Sequence, residues 1–195
     1  MIQFYQTIVW KNMAIKKTSK EEILNKAINL FKTQGFSNTS MANIADECGL
    51  IKGSIYHHFK NKDEIGLEAL KYISEYFDKN IFSIKDKTLL TKEKLEKIVK
   101  KTDEYFLNSN GGCLLANLAT EVSNQNEAYK TVIIDYFKTW EDCLAKILEE
   151  KYPKNEAQDL AYEYICSLQG AIIMFNLTNN KKRLLEIGKN LLTKV

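Results

Sequence analysis

Apolar positions recur at intervals of three and four along most of the chain, the period of helices with one face turned inward. Ile23, Ala27, Leu30 and Phe31 make the first such face. Ser19-Lys-Glu-Glu22 ahead of them is a capping box: the Ser19 hydroxyl takes the Glu22 amide and the Glu22 carboxylate reaches back. Gly35 ends this helix. A second is expected from Thr39 or Ser40 to about Cys48, where Gly49 breaks it, and a short third from Ile51 to His57. Asn61 or Lys62 opens a longer helix with Ile65, Leu67, Ala69, Leu70, Ile73 and Phe77 inside, ending near Phe82. The polar stretch 83–90 reads as a connection, with Thr91 capping the next helix, whose apolar face holds Leu95, Ile98, Val99, Thr102, Tyr105 and Phe106. Asn108-Ser-Asn-Gly-Gly112 is the clearest interior break. A short helix from about Cys113 to Ser123 and a long one from about Asn126 to Tyr152 follow, the latter stopped by Pro153. Two more are expected at 155–177 and 180–194. No sustained apolar/polar alternation bounded by turn pairs occurs, so the pattern predicts an all-α fold of nine helices.

Charge divides the chain where hydropathy does not. Residues 14–62 hold eight lysines against Glu21, Glu22, Asp46 and Glu47, a net of +4, whereas residues 63–195 hold nineteen basic and twenty-one acidic groups, a net of −2. A polyanionic partner is therefore expected at the N-terminal end only. The expected organisation is a tail at 1–12, a basic domain at 13–62 and a larger second domain at 63–195, the two domains sharing the fourth helix. The tail, MIQFYQTIVWKN, lacks the basic start and cleavage site of a signal peptide, and Met13 offers an alternative start.

Several function classes drop out early. Cys48, Cys113, Cys143 and Cys166 lie far apart, and the two histidines, His57 and His58, are adjacent, so no metal-ligand spacing occurs. The cysteines read as reduced thiols of a cytoplasmic protein, Cys113 being the one to watch. No apolar run approaches membrane-spanning length. There is no P-loop, no GxGxxG after a strand, no HExxH and no nucleophile with a plausible base, so neither an enzyme nor a cofactor is expected.

The informative segment is 41–60. Ala45, Gly49 and Ile55 stand where a helix-turn-helix needs a small residue between its helices, a glycine in the turn and an aliphatic residue on the inner face. The outer face of the third helix carries Lys52, Gly53, Ser54, Tyr56, His57 and His58. Each can meet DNA by charge, by hydrogen bond or by lack of a side chain. Gly53 costs a helix interior roughly 1 kcal/mol against Ala, which makes sense where another backbone or a base must come close. Tyr56 can donate to a phosphate, and Lys62 at a helix N-terminus can pair with another.

The run ILNKAINLF-x3-GF-x2-TSMANIADECGL-x-KGSIYHHFKNKDEI, about forty-five residues, resembles the DNA-binding region of the TetR (tetracycline repressor) family. The resemblance implies that the third helix enters the major groove. It also places Thr39, Ser40, Lys52, Gly53, Ser54, Tyr56, His58 and Lys62 on family positions that contact DNA, and His57 on a variable one. Cys48 departs from the family, where alanine is usual.

The second domain resembles the family in architecture, with one local pattern, GC-x3-N-x3-E at 112–121, similar to a subset of TetR-like regulators. Cys113, Asn117 and Glu121 are four apart and share a helix face. They either line a cavity or bond to neighbouring helix ends. With Tyr105, Phe137, Trp140 and Tyr164 they form the candidate set for a mostly apolar inducer. Ala157, Leu160, Ala161, Tyr164, Leu168, Ala171, Ile172 and Phe175, with Leu184, Leu185, Ile187, Leu191 and Leu192, form the candidate homodimer interface, intrachain packing being the competing reading. The function expected is a dimeric repressor released from operator DNA by a small molecule; a ligand-independent architectural DNA binder is the alternative.

Overall fold

The computed structural model describes residues 19–195, so the tail at 1–12 and the start at Met13 lie outside the described residues. Over that range the chain forms nine α-helices and no strand. They are α1 (Lys20–Gln34), α2 (Met41–Glu47), α3 (Lys52–Tyr56), α4 (Lys62–Asn80), α5 (Thr91–Leu107), α6 (Leu114–Glu121), α7 (Glu127–Leu148), α8 (Lys154–Thr178) and α9 (Lys181–Leu192). Side-chain caps begin four of the helices as their sequence suggests: Ser19 accepts from the Glu22 amide, Ser40 from Asn43, Asn61 from Glu64 and Asn126 from Tyr129.

Two local expectations need correcting. The α4 helix ends at Asn80, and a 3-10 turn over Phe82–Asp86 occupies part of the expected polar connection. It forms because Phe82 and Ile84, each about 1% exposed, must be turned back onto the core. Thr91 is the first residue of α5 and not its cap. Its hydroxyl instead donates to Glu150 after α7, which also pairs with Lys94 at 2.9 Å.

α1, α2 and α3 pack on one another around Phe31, Ile44, Ala45, Ile55 and Phe59. α4 rests on α1 at its start and on α7 further along, so the hydrophobic core runs without a break from the first helices into the rest of the chain. In the second part the core is aromatic. Phe77 of α4 lies 4.8 to 6.1 Å, ring centre to ring centre, from Tyr105, Phe106, Tyr136, Trp140 and Phe82. Such tilted and edge-on pairs add about 0.5–1.5 kcal/mol each beyond the area they bury.

α8 packs between α7 and α9, and it carries two apolar faces. Ala157, Ala161, Tyr164, Leu168 and Ile172 are buried within the protomer, as are Leu184 and Leu191 of α9. The stripe read as a dimer interface is therefore largely intrachain core. On the opposite side of α8, Tyr162, Ile173 and Leu177 follow a second helical stripe and, with Met174 beside them, are 53 to 76% exposed. Periodicity marked the first stripe because it is the fuller one; the second is interrupted by Cys166 and Gly170.

Among the described residues, no helix is long and apolar enough to cross a membrane, and no three His, Cys, Asp or Glu side chains gather as a metal site.

Candidate nucleic-acid interface and its joint to the second domain

The α2–α3 unit is set by its turn. Gly49 has φ of +65°, a conformation that L side chains rarely adopt, and the Leu50 amide then closes back onto the Ala45 carbonyl at 2.9 Å. Ala45 and Ile55 are fully enclosed where the two helices meet. With Ile55 and Phe59 turned in, Lys52, Gly53, Tyr56, His57 and His58 are exposed, and Ser54 is half-buried. No atom lies within 4 Å of the position a Cβ on Gly53 would take. No packing contact inside the protein requires that glycine, and the space beside it is open to solvent.

Three other candidate contacts are committed inside the fold. The Thr39 hydroxyl is buried, donating to the Gly35 carbonyl at 2.7 Å and accepting from Gln34 at 3.0 Å. Ser40 is exposed but serves as the α2 cap, its hydroxyl donating to Asn43 Oδ1 at 2.7 Å. The Lys62 ammonium donates to the Phe36 carbonyl at 2.8 Å and sits 4.3 Å from the centre of the Phe36 ring. In this conformation Lys62 braces the α1–α2 turn.

That turn is the joint between the two parts. The Glu121 carboxylate, at the end of α6, accepts from the Phe36 amide at 2.9 Å and the Ser37 amide at 2.6 Å. Partial burial works against its charge, yet the two amides, with the nearby Lys62, hold the carboxyl below the usual carboxylate range. Tyr129 of α7 donates to the Asp63 carbonyl in the first turn of α4 at 2.8 Å, and its ring meets Phe36 edge-on at 5.7 Å. The hydroxyl occupies the space a side chain on Gly66 would need: a Cβ there would lie 2.0 Å from it. Lys32 of α1, only 9% exposed, forms a second contact, donating to Ser109 and lying 5.7 Å from the centre of the Tyr105 ring.

The residues read as inducer ligands do not converge on one open cavity. Asn117 donates to the Gly111 carbonyl at 2.8 Å and Glu121 to none, being the acceptor just described. For both, bonding to neighbouring chain is what the geometry shows. Cys113 is buried, and burial pushes its thiol up from the ordinary range. Trp140 is fully enclosed in the aromatic core, Phe137 is half-buried against Tyr136, and Tyr164 lies under α9. Tyr105 alone of the set lines a sizeable cleft, of about 410 Å³ between α4 and α5. Several enclosed polar atoms find no partner, among them Tyr136 Oη, Trp140 Nε1 and Gln169 Nε2. Sequence reasoning missed the roles of Lys32 and Tyr129, and for Glu121 it offered bonding to a neighbouring helix end without saying which one. Only the last had a signal, its place on the polar face with Asn117.

Comparison with known proteins agrees with this geometry. Residues 23–69 match the family described as bacterial regulatory proteins of the tetR family, and residues 91–190 match the C-terminal domain of LmrA/YxaF-like transcriptional regulators. The chain is 33% identical over 174 residues, 87% of its length and 91% of the relative's, to an uncharacterized HTH-type transcriptional regulator, YxaF, of Bacillus subtilis. It is 27% identical over 178 residues to the HTH-type transcriptional regulator LmrA of the same organism, covering 87% of this chain and 93% of that one. The crystal structure of a TetR transcriptional regulator from Legionella pneumophila superposes with a TM-score of 0.82 at 21% identity, covering 91% of this chain and 97% of the other.

Proposed function

The chain belongs to the TetR family of bacterial transcriptional regulators, and on that premise we propose that it is a repressor that holds operator DNA as a homodimer and leaves it when a small molecule occupies the second domain. The observation that carries the reading is the free face of α3, where Lys52, Gly53, Tyr56, His57 and His58 stand exposed on a helix whose other side is sealed by Ile55. Two such helices, about 34–36 Å apart across a two-fold axis, meet successive major grooves of a palindromic site. Dimerisation uses the exposed face of α8, with α9 beside it, since Tyr162, Ile173 and Leu177 form an apolar patch that no other element among the described residues covers. The four free cysteines suit the reducing cytoplasm, where the DNA is.

Release works through the joint. Glu121 and Tyr129 tie α6 and α7 to the α1–α2 turn and to the first turn of α4. An occupant that favours a different packing of α4, α6 and α7 therefore favours a different separation of the two heads. It shifts the equilibrium only by its preference for that state. The test is a gel shift against the DNA upstream of the protein's own gene, at stated salt, with Lys52→Ala/Tyr56→Phe as the control. A shift that the control abolishes supports operator binding through α3. A shift equally strong with the control removes α3 as the reading element.

A further inference from the structure

Among the described residues of the head, Lys32 is the one lysine that the fold takes almost wholly out of water. Its ammonium has three protons to give, and its recorded partners are the neutral hydroxyl of Ser109 and the face of Tyr105. Of the described residues, the titratable group that acts on it is the Cys113 thiol, which burial pushes toward its neutral form. Burial pulls the lysine below its ordinary pKa, the mark of a cation without a counter-charge. A buried charge left unpaired is costly, and a mere structural strut would be better served by an uncharged side chain.

Both residues that Lys32 touches line the cleft of about 410 Å³ between α4 and α5. That volume falls within the range of small-molecule sites. One wall is aromatic: Tyr76 and Tyr105 lie 5.6 Å apart with ring planes 34° from parallel, and Tyr76 is 42% exposed. At the rim stand Lys101 and Glu104, the latter 3.9 Å from Lys100 on its own helix. With Glu104 answering Lys100, Lys101 stands at the exposed rim, and the one buried ammonium beside the cleft still to be matched is that of Lys32.

We propose that this cleft is a binding site for a small aromatic carboxylate, its ring laid on Tyr76 and Tyr105 and its anion paired with Lys32. A single buried ammonium suits a monoanion, whereas a phosphate dianion would bring a second charge with nothing buried to meet it. At neutral pH a phenol is uncharged and gains nothing from the ammonium. A carboxylate also competes well for the lysine, because it brings the opposite charge that the neutral Ser109 hydroxyl lacks. Lys32 belongs to α1, so the occupant touches the DNA-binding head directly. This deepens the inducer reading above and rests on it for its regulatory meaning.

The probe is 1-naphthoate, titrated calorimetrically into the full-length protein at pH 7.5, with uncharged 1-naphthol as its isostere. Naphthoate is expected to bind at least tenfold tighter than naphthol. Lys32→Met, which keeps the buried stem, is expected to erase that difference and leave naphthol unchanged. Tyr76→Ala, at an exposed position, is expected to weaken both severalfold, and it decides the matter if Lys32→Met does not fold. No naphthoate binding at millimolar concentration, equal affinity for the two probes, or indifference to both substitutions overturns the site. Operator binding is measured separately: Lys32-dependent naphthoate binding that leaves operator occupancy unchanged upholds the site and removes the inducer reading, while failure of the gel shift bears on the head alone.

Discussion

The α2–α3 pair and the α8–α9 pair are built alike and finished differently. Each buries one face, around Ala45 and Ile55 in the first and around Leu168, Ile172 and Leu184 in the second. Outside, α3 shows lysine, tyrosine, histidine and a bare glycine, whereas α8 shows Tyr162, Ile173, Met174 and Leu177. The inner faces record only that each pair folds. On the reading proposed above, the outer faces differ by what each meets: a hydrated polyanion, read by charge and hydrogen bonds, or another apolar helix, held by excluding water. A further contrast lies beneath them. Asp103 of α5 is 8% exposed, with Oδ2 3.4 Å from where a Cβ on Gly188 of α9 would sit, and its Oδ1 has no partner, nor has the Tyr164 hydroxyl. Burial raises its pKa to about 6. The α2–α3 core holds no such acid.

The largest effect is expected on the apolar face. Ile173→Asp with Leu177→Asp places two charges where the dimer would close, and should weaken self-association by at least about a hundredfold, since each unpaired buried charge costs several kcal/mol. Sedimentation equilibrium measures it; an unchanged dissociation constant would move the interface elsewhere. The protomer's thermal stability should hardly change, because both residues are exposed within it.

Asp103→Asn comes next. Folding raises this carboxyl from its ordinary 3.8 to about 6, so the folded protein favours the protonated acid. That contribution is complete below pH 4, is lost as pH rises through 6, and stays lost above. The amide should therefore stabilise the protein by about 2 kcal/mol at pH 7.5 and by nothing near pH 4. Denaturant melts at the two pH values test this, and an equal change at both would assign the effect to packing.

The smallest effect is on the polar face. Lys52→Ala should lower DNA affinity about tenfold or less and reduce the slope of log affinity against log salt by about 0.9 for the one phosphate lost. An unchanged slope would leave Lys52 off the backbone of the DNA.

How much of this could be read from the chain follows the same division. The nine helices were readable because period and caps are local: Ser19, Ser40, Asn61 and Asn126 each mark a helix start by bonding two or three residues ahead. The α3 face was readable because Gly49 and Ile55 fix which side turns in. The joint was not. Glu121 binds backbone amides of Phe36 and Ser37, and an amide is the same group at every residue, so no pattern announces the partner eighty-five positions away. Lys32 enters the sequence only as one of the eight lysines at 14–62, with nothing local to mark it as buried. On α8 the fuller apolar stripe was visible, but periodicity shows that a face is covered and not by what. Thr91 illustrates the same limit on a small scale, a residue of cap-forming type whose hydroxyl finds Glu150 instead.

The Gly66–Tyr129 contact constrains how this sequence can change over time. A methyl group at position 66 would meet the Tyr129 hydroxyl at 2.0 Å, its Cζ at 2.8 Å and Phe36 Cε2 also at 2.8 Å. Losing the hydroxyl alone, as phenylalanine does, leaves the ring carbon still too near. Position 129 must shrink before position 66 can grow, and the opposite order passes through a protein whose head is levered off its support. Positions 66 and 129 are thus coupled, with Phe36 as a third party, and because they lie in α4, in α7 and in the turn after α1, a head exchanged for another would seat here only if it brought a glycine to meet this tyrosine.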